Sequence, residues 1–222
     1  GAFSPLSGFM TEQEFSHVVD HMKLPNGAYW PLPVLLFSAA QIPLGEMVEL
    51  VSSEGRVLAE MSVQSCFLVD KAHYADRVFK TTQLDHPGVK DLFDKPAYAV
   101  GGPIIRHFFS GGELTDVAFV REEIHRRGWK TVAAFHTRNP PHRSHEHLQR
   151  VALEICEGLI ISPVMTGLKP GDISSSLIKQ AYELFIDTYY PLDRVLFVYV
   201  DTYARFAGPR EVVFQALIRK NY

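Results

Sequence analysis

One arginine, one asparagine and two histidines lie close together in the sequence, as Arg138, Asn139, His142 and His145. A guanidinium group binds oxyanions through two parallel hydrogen bonds, and imidazoles donate to phosphate oxygens. Histidines spaced three apart share one face of a helix and lean toward its N-terminus. These residue types at this spacing predict a polyphosphate site, in which such donors stabilise charge that develops on a leaving pyrophosphate.

A strand followed directly by a helix is expected to position this cluster. Thr131–Phe135 is apolar and partly β-branched, which is typical of a buried strand. Asn139 is the expected N-cap and Pro140 the expected first residue of a helix that runs to Glu157. Such a helix start aims free backbone N–H groups and the positive end of the helix dipole at one point. The arrangement favours an anion, most often phosphate.

The second half of the chain alternates strands with helices, which predicts a parallel sheet wound on both faces. The expected strands are Thr131–Phe135, Leu159–Val164 and Arg194–Val200, and the expected helices are Val120–Arg127, Pro140–Glu157, Ser174–Tyr189 and Arg210–Lys220. Ligands bind outside the carboxyl ends of the strands in such sheets. The loops there add Lys169, Asp172, Arg205 and Arg210 as candidate ATP ligands, although an ordinary solvated turn explains each of them equally well.

Two other interpretations of the histidines stay open, a metal site and ordinary surface or structural residues. His147 lies off the face that His142 and His145 share, and no His-Glu-x-x-His spacing occurs. Phosphate contact is therefore preferred, and no metal bound by the protein is predicted. The sequence has no Ser-His-Asp set, no paired carboxylates near the cluster and no Walker lysine. Positioning and charge stabilisation remain as the means of catalysis.

Residues 1 to about 112 predict a mostly β, barrel-like module with two small helices. The expected strands are Pro33–Phe37, Met47–Val51, Val57–Leu58 and Met61–Val69, and the expected helices are Thr11–His21 and Lys71–Phe79. Glu54-Gly55 is expected to form a hairpin turn, and Thr11 with Glu14 a capping box. Two glycine pairs, Gly101-Gly102 and Gly111-Gly112, bracket a segment that is expected to cross between domains. We therefore expect domains at 1–114 and 115–222, the first of them for folding or assembly.

Composition excludes several classes of protein. The 222 residues are 46% hydrophobic and 21% charged, which favours a folded core over disorder. A net charge of −3 argues against nucleic-acid binding by bulk electrostatics. No apolar run approaches a membrane span, and Cys66 and Cys156 are expected to be buried free thiols, so a cytoplasmic protein is predicted. Because the sequence begins with Gly1 rather than Met, we expect a fragment or a trimmed chain.

Residues 136–146, HTRNPPHRSHE, resemble the Gln-x-Arg-Asn-Pro-x-His-x-x-His-Glu signature of the ATP sulfurylase (sulfate adenylyltransferase) family. The resemblance extends over essentially the whole chain. Further similar segments are Ala2–Leu6, Gly8–Met10, Trp30–Pro33, His86–Val89, Gly128–Thr131, Lys169–Asp172 and Ala207–Glu211.

The resemblance implies a PUA-like N-terminal β domain and a Rossmann-like, doubly wound nucleotidyltransferase domain. It also implies direct transfer of AMP from MgATP to sulfate, with Mg²⁺ carried on the ATP, and self-association of the chain. By the resemblance, His136 to Asn139 line the ATP and sulfate site, with Thr137, Arg138 and Asn139 as catalytic positions. Arg138 would hold sulfate, while His142 and His145 would stabilise charge on the phosphates.

The sequence departs from the family pattern in two places. His136 stands where the signature more often has Gln. A Gly-Arg-Asp-His-Ala-Gly segment of the family would follow Tyr222, so a chain that ended there is expected to fold but to be severely impaired. Two alternatives stay open: an adenylyltransferase with another acceptor, and a non-catalytic nucleotide- or anion-binding module.

Overall fold

The structure is a computed structural model that describes residues 1–108, 115–164, 173–200 and 202–222. The chain forms two compact units. The first comprises Gly1–Ser110 and Arg205–Asn221, and the second comprises Gly111–Ala204 with Tyr222. Lys169 and Asp172 lie outside the described residues.

The first unit contains an antiparallel sheet whose strands nearly all pair with one long strand. The strands are β1 (Gly8–Phe9), β2 (Leu36–Ser38), β3 (Met47–Val51), β4 (Val57–Ser62), β5 (Ser65–Leu68) and β6 (Tyr98–His107). Strand β6 pairs with β1, β2, β4 and β5, and β3 pairs with β4. The predicted β module and its hairpin at Glu54-Gly55 are therefore present.

Gly101 and Gly102, which were expected to precede a crossing segment, lie inside β6, and Gly111 and Gly112 lie outside the described residues. A Cβ atom at Gly101 would lie 2.2 Å from the carbonyl oxygen of Met10, and one at Gly102 would lie 1.9 Å from that of Ser62. These glycines permit the close backbone approach that lets one strand serve several neighbours. The same residues that usually interrupt a strand are here required by it.

Three helices accompany this sheet: α1 (Glu12–His21), α2 (Lys71–Phe79) and α3 (Pro87–Asp94). Helix α1 begins with the predicted capping box, in which Thr11 and Glu14 each bind the other's backbone N–H. Helix α2 has the predicted bounds. Helix α3 was not predicted, although His86 accepts a hydrogen bond from the backbone N–H of Val89 and Pro87 occupies the first turn.

The last helix, α7 (Pro209–Asn221), belongs to the first unit rather than to the alternating half of the chain. The ring of Phe214 is 1% exposed and lies 5.6 Å from that of Trp30 and 5.8 Å from that of Phe3. The side-chain amide of Asn221 donates to the carbonyls of Ala2 and Ser4, both at 2.8 Å. This placement differs from the expected domain of residues 115–222. A helical sequence pattern reveals an apolar face, but it does not reveal which surface packs against that face.

The second unit is built on a parallel sheet in the order β7 (Val132–Phe135), β8 (Gly158–Ile161), β9 (Val195–Phe197). Its helices are α4 (Val117–Arg126), α5 (Arg143–Ile155) and α6 (Ser175–Tyr189). Side chains of α5 and α6 pack together against Leu159 and Ile161, which share one face of β8. The predicted alternation of strands and helices is confirmed. No helix in the described ranges is long and apolar enough to span a membrane.

We expect Phe214→Ala to lower the free energy of unfolding by about 3–5 kcal/mol, because it removes a buried ring from the centre of the first unit. Val212→Ala, on the same helix at a position 70% exposed, serves as the control and should change it by no more than about 0.5 kcal/mol. Urea unfolding followed by tryptophan fluorescence measures both. Equal effects of the two substitutions would contradict the placement of α7.

Candidate active site

The segment predicted to do chemistry leaves the carboxyl end of β7 as a loop and enters α5 at Arg143. His142 is the N-cap, with φ −148° and ψ 172°, and makes no side-chain capping hydrogen bond. The prediction that Asn139 caps the helix and Pro140 begins it is therefore wrong. Asn139 and Pro140 each precede a proline, and a residue before proline is kept out of the helical conformation. The helix starts at Arg143, after both prolines.

The later helix start still brings the two predicted histidines together. The rings of His142 and His145 stack with their centroids 3.7 Å apart and their planes at 30°. His145 is 9% exposed and lies edge-on to the ring of Phe135, whereas His142 is exposed. Over the described ranges, no three His, Cys, Asp or Glu side chains are grouped closely enough to hold a metal ion. The pair is thus one solvent-facing ring backed by one buried ring.

Four residues form a closed set of hydrogen bonds around His145, here called the His145 network: Thr137, Asn139, His145 and Tyr182. The backbone N–H of Asn139 donates to Thr137 Oγ1 at 3.2 Å, and Thr137 Oγ1 lies 3.4 Å from His145 Nε2. The Tyr182 hydroxyl lies 3.3 Å from His145 Nδ1 and donates to the Asn139 carbonyl at 3.1 Å. The network begins and ends at the backbone of one loop residue, Asn139.

The proton positions in the network follow from the chemistry of its members. A carbonyl can only accept, so the single proton of the Tyr182 hydroxyl points at Asn139. The hydroxyl oxygen must then accept from a proton on His145 Nδ1. Nε2 can accept from the Thr137 hydroxyl when the ring is neutral. The contacts of Tyr182 thus place a proton on Nδ1 of His145.

Burial favours the same neutral form. Desolvation lowers the pKa of His145, and the neighbouring His142 lowers it further, while a hydrogen bond to the Pro140 carbonyl acts in the opposite direction. That both imidazoles face a phosphate stays a prediction. Both nitrogens of His145 have partners within the protein.

The remaining loop positions lie beside this network. His136 Nδ1 is 3.3 Å from the carbonyl oxygen of Ser162, a buried residue just after β8. Arg138 is half-buried between Thr137 and Asn139. The structure therefore places His136 to Asn139 at the carboxyl edge of the parallel sheet, where the sequence predicts them.

Arg205 and Arg210 have backbone partners in the first unit. The Arg205 guanidinium donates to the carbonyl of Pro33 at 3.0 Å and lies over the ring of Phe214. That of Arg210 donates to the carbonyls of Val18, Val19 and Pro31. A role for these two arginines in binding ATP stays a prediction.

Sequence reasoning missed Tyr182. The signal was present, because Ile178, Tyr182 and Ile186 recur every four residues and mark the buried face of α6. A tyrosine on a buried face needs a hydrogen-bond partner for its hydroxyl. The sequence could not show that the partner belongs to the histidine motif.

Known proteins resemble the chain over both units. The family model described as ATP-sulfurylase matches residues 115–222, and one described as a PUA-like domain matches residues 1–107. Sulfate adenylyltransferases from a Synechococcus strain and a Psychrobacter strain are 39% and 37% identical over the whole chain. Residues 115–222 of the chain are thus similar to the ATP-sulfurylase family.

The chain spans 59% and 56% of the length of those two relatives. A solved structure described as hexameric APS kinase from Thiobacillus denitrificans has a TM-score of 0.74 to it at 21% identity. The match covers the whole chain and 42% of that structure, and it shows a shared fold. The His145 network falls entirely within the residues that match the ATP-sulfurylase model.

We expect the His145 imidazole to titrate below pH 6.5, its ordinary value, because burial and His142 both disfavour its charged form. The unfolded ring takes up its proton at a higher pH than the folded ring. The stability that the neutral ring contributes is therefore complete above pH 6.5 and falls as the pH drops below it. Histidine NMR titration measures the value, with His145→Asn to assign the signal. A midpoint at or above 6.5 would refute the expectation.

Proposed function

We propose that this chain is the catalytic part of a sulfate adenylyltransferase, which transfers AMP from MgATP to sulfate and yields adenosine 5′-phosphosulfate and pyrophosphate. The observation that carries the proposal is the stacked His142–His145 pair at the start of α5, held by the His145 network at the carboxyl end of a parallel strand. The pair lies within the residues that match the ATP-sulfurylase model. Named sulfate adenylyltransferases as relatives support the same reaction.

The proposed chemistry needs no nucleophile from the protein. A sulfate oxygen forms a bond to the α-phosphorus of ATP, and the bond from that phosphorus to the bridging oxygen breaks. The electron pair leaves with pyrophosphate. Arg138 holds the sulfate dianion through its guanidinium group, and the exposed His142 donates to the phosphates as negative charge moves onto them. Positioning of the two anions in line supplies much of the acceleration.

The other proposed site residues fall into two groups, those in the loop after β7 and those elsewhere in the chain. We propose that His136, Thr137 and Asn139 line the ATP and sulfate site from the loop after β7, with Thr137 and Asn139 as catalytic positions together with Arg138 and His145. Lys169, Asp172, Arg205 and Arg210 are proposed as further ATP-binding residues. For the two arginines, this role requires that part of the guanidinium group serve ATP while the rest keeps its carbonyl partners.

Further proposals concern the whole protein. We propose a PUA-like domain at 1–114 and a Rossmann-like, doubly wound domain from 115, which the parallel order of β7, β8 and β9 supports. Mg²⁺ would be carried on ATP rather than by protein ligands. Self-association is supported by the hexameric solved structure of similar fold. A cytoplasmic location is supported by Cys66 and Cys156, which are both free thiols.

Release of pyrophosphate that requires both ATP and sulfate tests the proposed reaction. The assay uses the chain extended past Tyr222 to the length of the curated relatives. Release without sulfate would indicate another acceptor. Nucleotide binding with no release would indicate a binding module, and either result would overturn the proposal.

Arg138→Lys should lower kcat/KM for sulfate by roughly a hundredfold, because lysine keeps the charge but loses the two-pronged geometry. Arg150→Lys is the matched control, since Arg150 lies on α5 and its guanidinium binds Glu146 at 2.9 Å. Its kcat/KM should stay within about twofold of the unsubstituted protein, as expected for an exposed ion pair. Equal losses in the two variants would contradict the sulfate-binding role of Arg138.

A further inference from the structure

We propose that Tyr182 is a positioning residue, whose hydroxyl fixes the tautomer of His145 and ties the histidine motif to the loop that carries Arg138. The inference about geometry stands on the contacts alone, and its consequence for turnover rests on the proposed function. Tyr182 lies on α6, outside the motif and outside every site residue named from the sequence.

The hydroxyl of Tyr182 links two parts of the network through two hydrogen bonds. It donates to the carbonyl of Asn139, the residue after Arg138, and it accepts from Nδ1 of His145 on α5. One oxygen atom thereby joins the loop, the motif helix and α6. Because Asn139 and His145 lie on different elements, movement of either one away from the other breaks a hydrogen bond in a dry environment, where such bonds are strong.

Tyr182 is itself held rigidly. Its side chain is fully buried, within the cluster that contains Leu159, Ile161 and Ile178. Its ring stacks on that of Phe197 in β9, with centroids 6.1 Å apart. A hydroxyl on a ring fixed by packing holds its partners in fixed places, which a hydroxyl on a mobile surface side chain could not do.

The protonation state of Tyr182 suits this role. Burial raises the pKa of its hydroxyl well above the ordinary value of 10. The hydroxyl therefore keeps its proton at neutral pH and remains a donor to the Asn139 carbonyl. While that proton points at the carbonyl, His145 Nδ1 must supply the proton of the second bond, and Nε2 of the neutral ring can accept from Thr137.

The two histidines therefore have different roles. His145 is held neutral as a rigid backing for the exposed His142 ring, which stacks on it at 3.7 Å. An error in the tilt or tautomer of His145 would move the His142 ring and release the Thr137 hydroxyl. Misplacement of about 1 Å can cost a hundredfold in rate, so loss of the Tyr182 hydroxyl should lower turnover more than substrate binding.

The chain offers a matched control in Tyr190, at the C-terminal end of the same helix. Its hydroxyl donates to Gln149 Oε1 at 2.8 Å, and its ring is 7% exposed. Tyr190→Phe therefore removes the same atom from a similarly buried position without touching His145. A purely structural role would make Tyr182→Phe and Tyr190→Phe alike in every measurement.

The test compares Tyr182→Phe with Tyr190→Phe by ¹⁵N NMR of histidine in the ligand-free chain above pH 7. We expect the unsubstituted chain and Tyr190→Phe to show the His145 proton on Nδ1, and Tyr182→Phe to show a rise in the form protonated on Nε2. Thermal unfolding is measured alongside and should show similar losses for both variants. An unchanged tautomer in Tyr182→Phe would overturn the proposal.

Turnover in the pyrophosphate assay provides the second readout. We expect Tyr182→Phe to lower kcat roughly ten- to a hundredfold with a smaller change in KM, and Tyr190→Phe to leave kcat within about twofold. A change of tautomer without a loss of kcat would overturn the role in positioning for catalysis. If the unsubstituted protein shows no sulfate-dependent release, the proposed function fails, and the NMR comparison decides the positioning role by itself.

Discussion

The two consecutive prolines at 140 and 141 are the constraint on which the site depends. Each excludes the residue before it from helical geometry, so neither Asn139 nor Pro140 belongs to α5. His142 is the N-cap and His145 lies in the first turn of the helix, where their rings stack. A helix that began at Asn139 would have placed both rings further along it. The prolines therefore keep Asn139 and Pro140 out of the helix that carries the histidine pair.

The buried ring of His145 needs hydrogen-bond partners, and other residues of the second unit provide them. A polar ring in a dry environment costs several kcal/mol unless both nitrogens find partners. Thr137 supplies one partner and Tyr182 the other, and the Asn139 backbone closes the set. The backbone N–H of Asn139 is used in this way, although the sequence suggested that amides of the turn would face an anion. The network thus uses local polar groups to hold the loop.

The sequence could reveal local features and could not reveal which surfaces meet. The capping box at Thr11, the helix from Lys71 to Phe79 and the strand before His136 depend on neighbouring residues, and all three are present. Strand β6 was missed because Gly101 and Gly102 usually break strands, and only the partner strands show why they fit there. Helix α7 was recognised, but its packing against Trp30 depends on residues from the far end of the chain.

The same distinction explains the histidine site. Spacing alone places His142 and His145 on one side of a helix, and it suggests equal roles for them. Their stacking makes equal roles costly, because charge on His142 opposes charge on a ring whose centroid is 3.7 Å away. The two rings therefore differ in their surroundings, since His142 is exposed and His145 is buried. Burial favours the neutral form of His145, and its partners on other elements hold its ring in place.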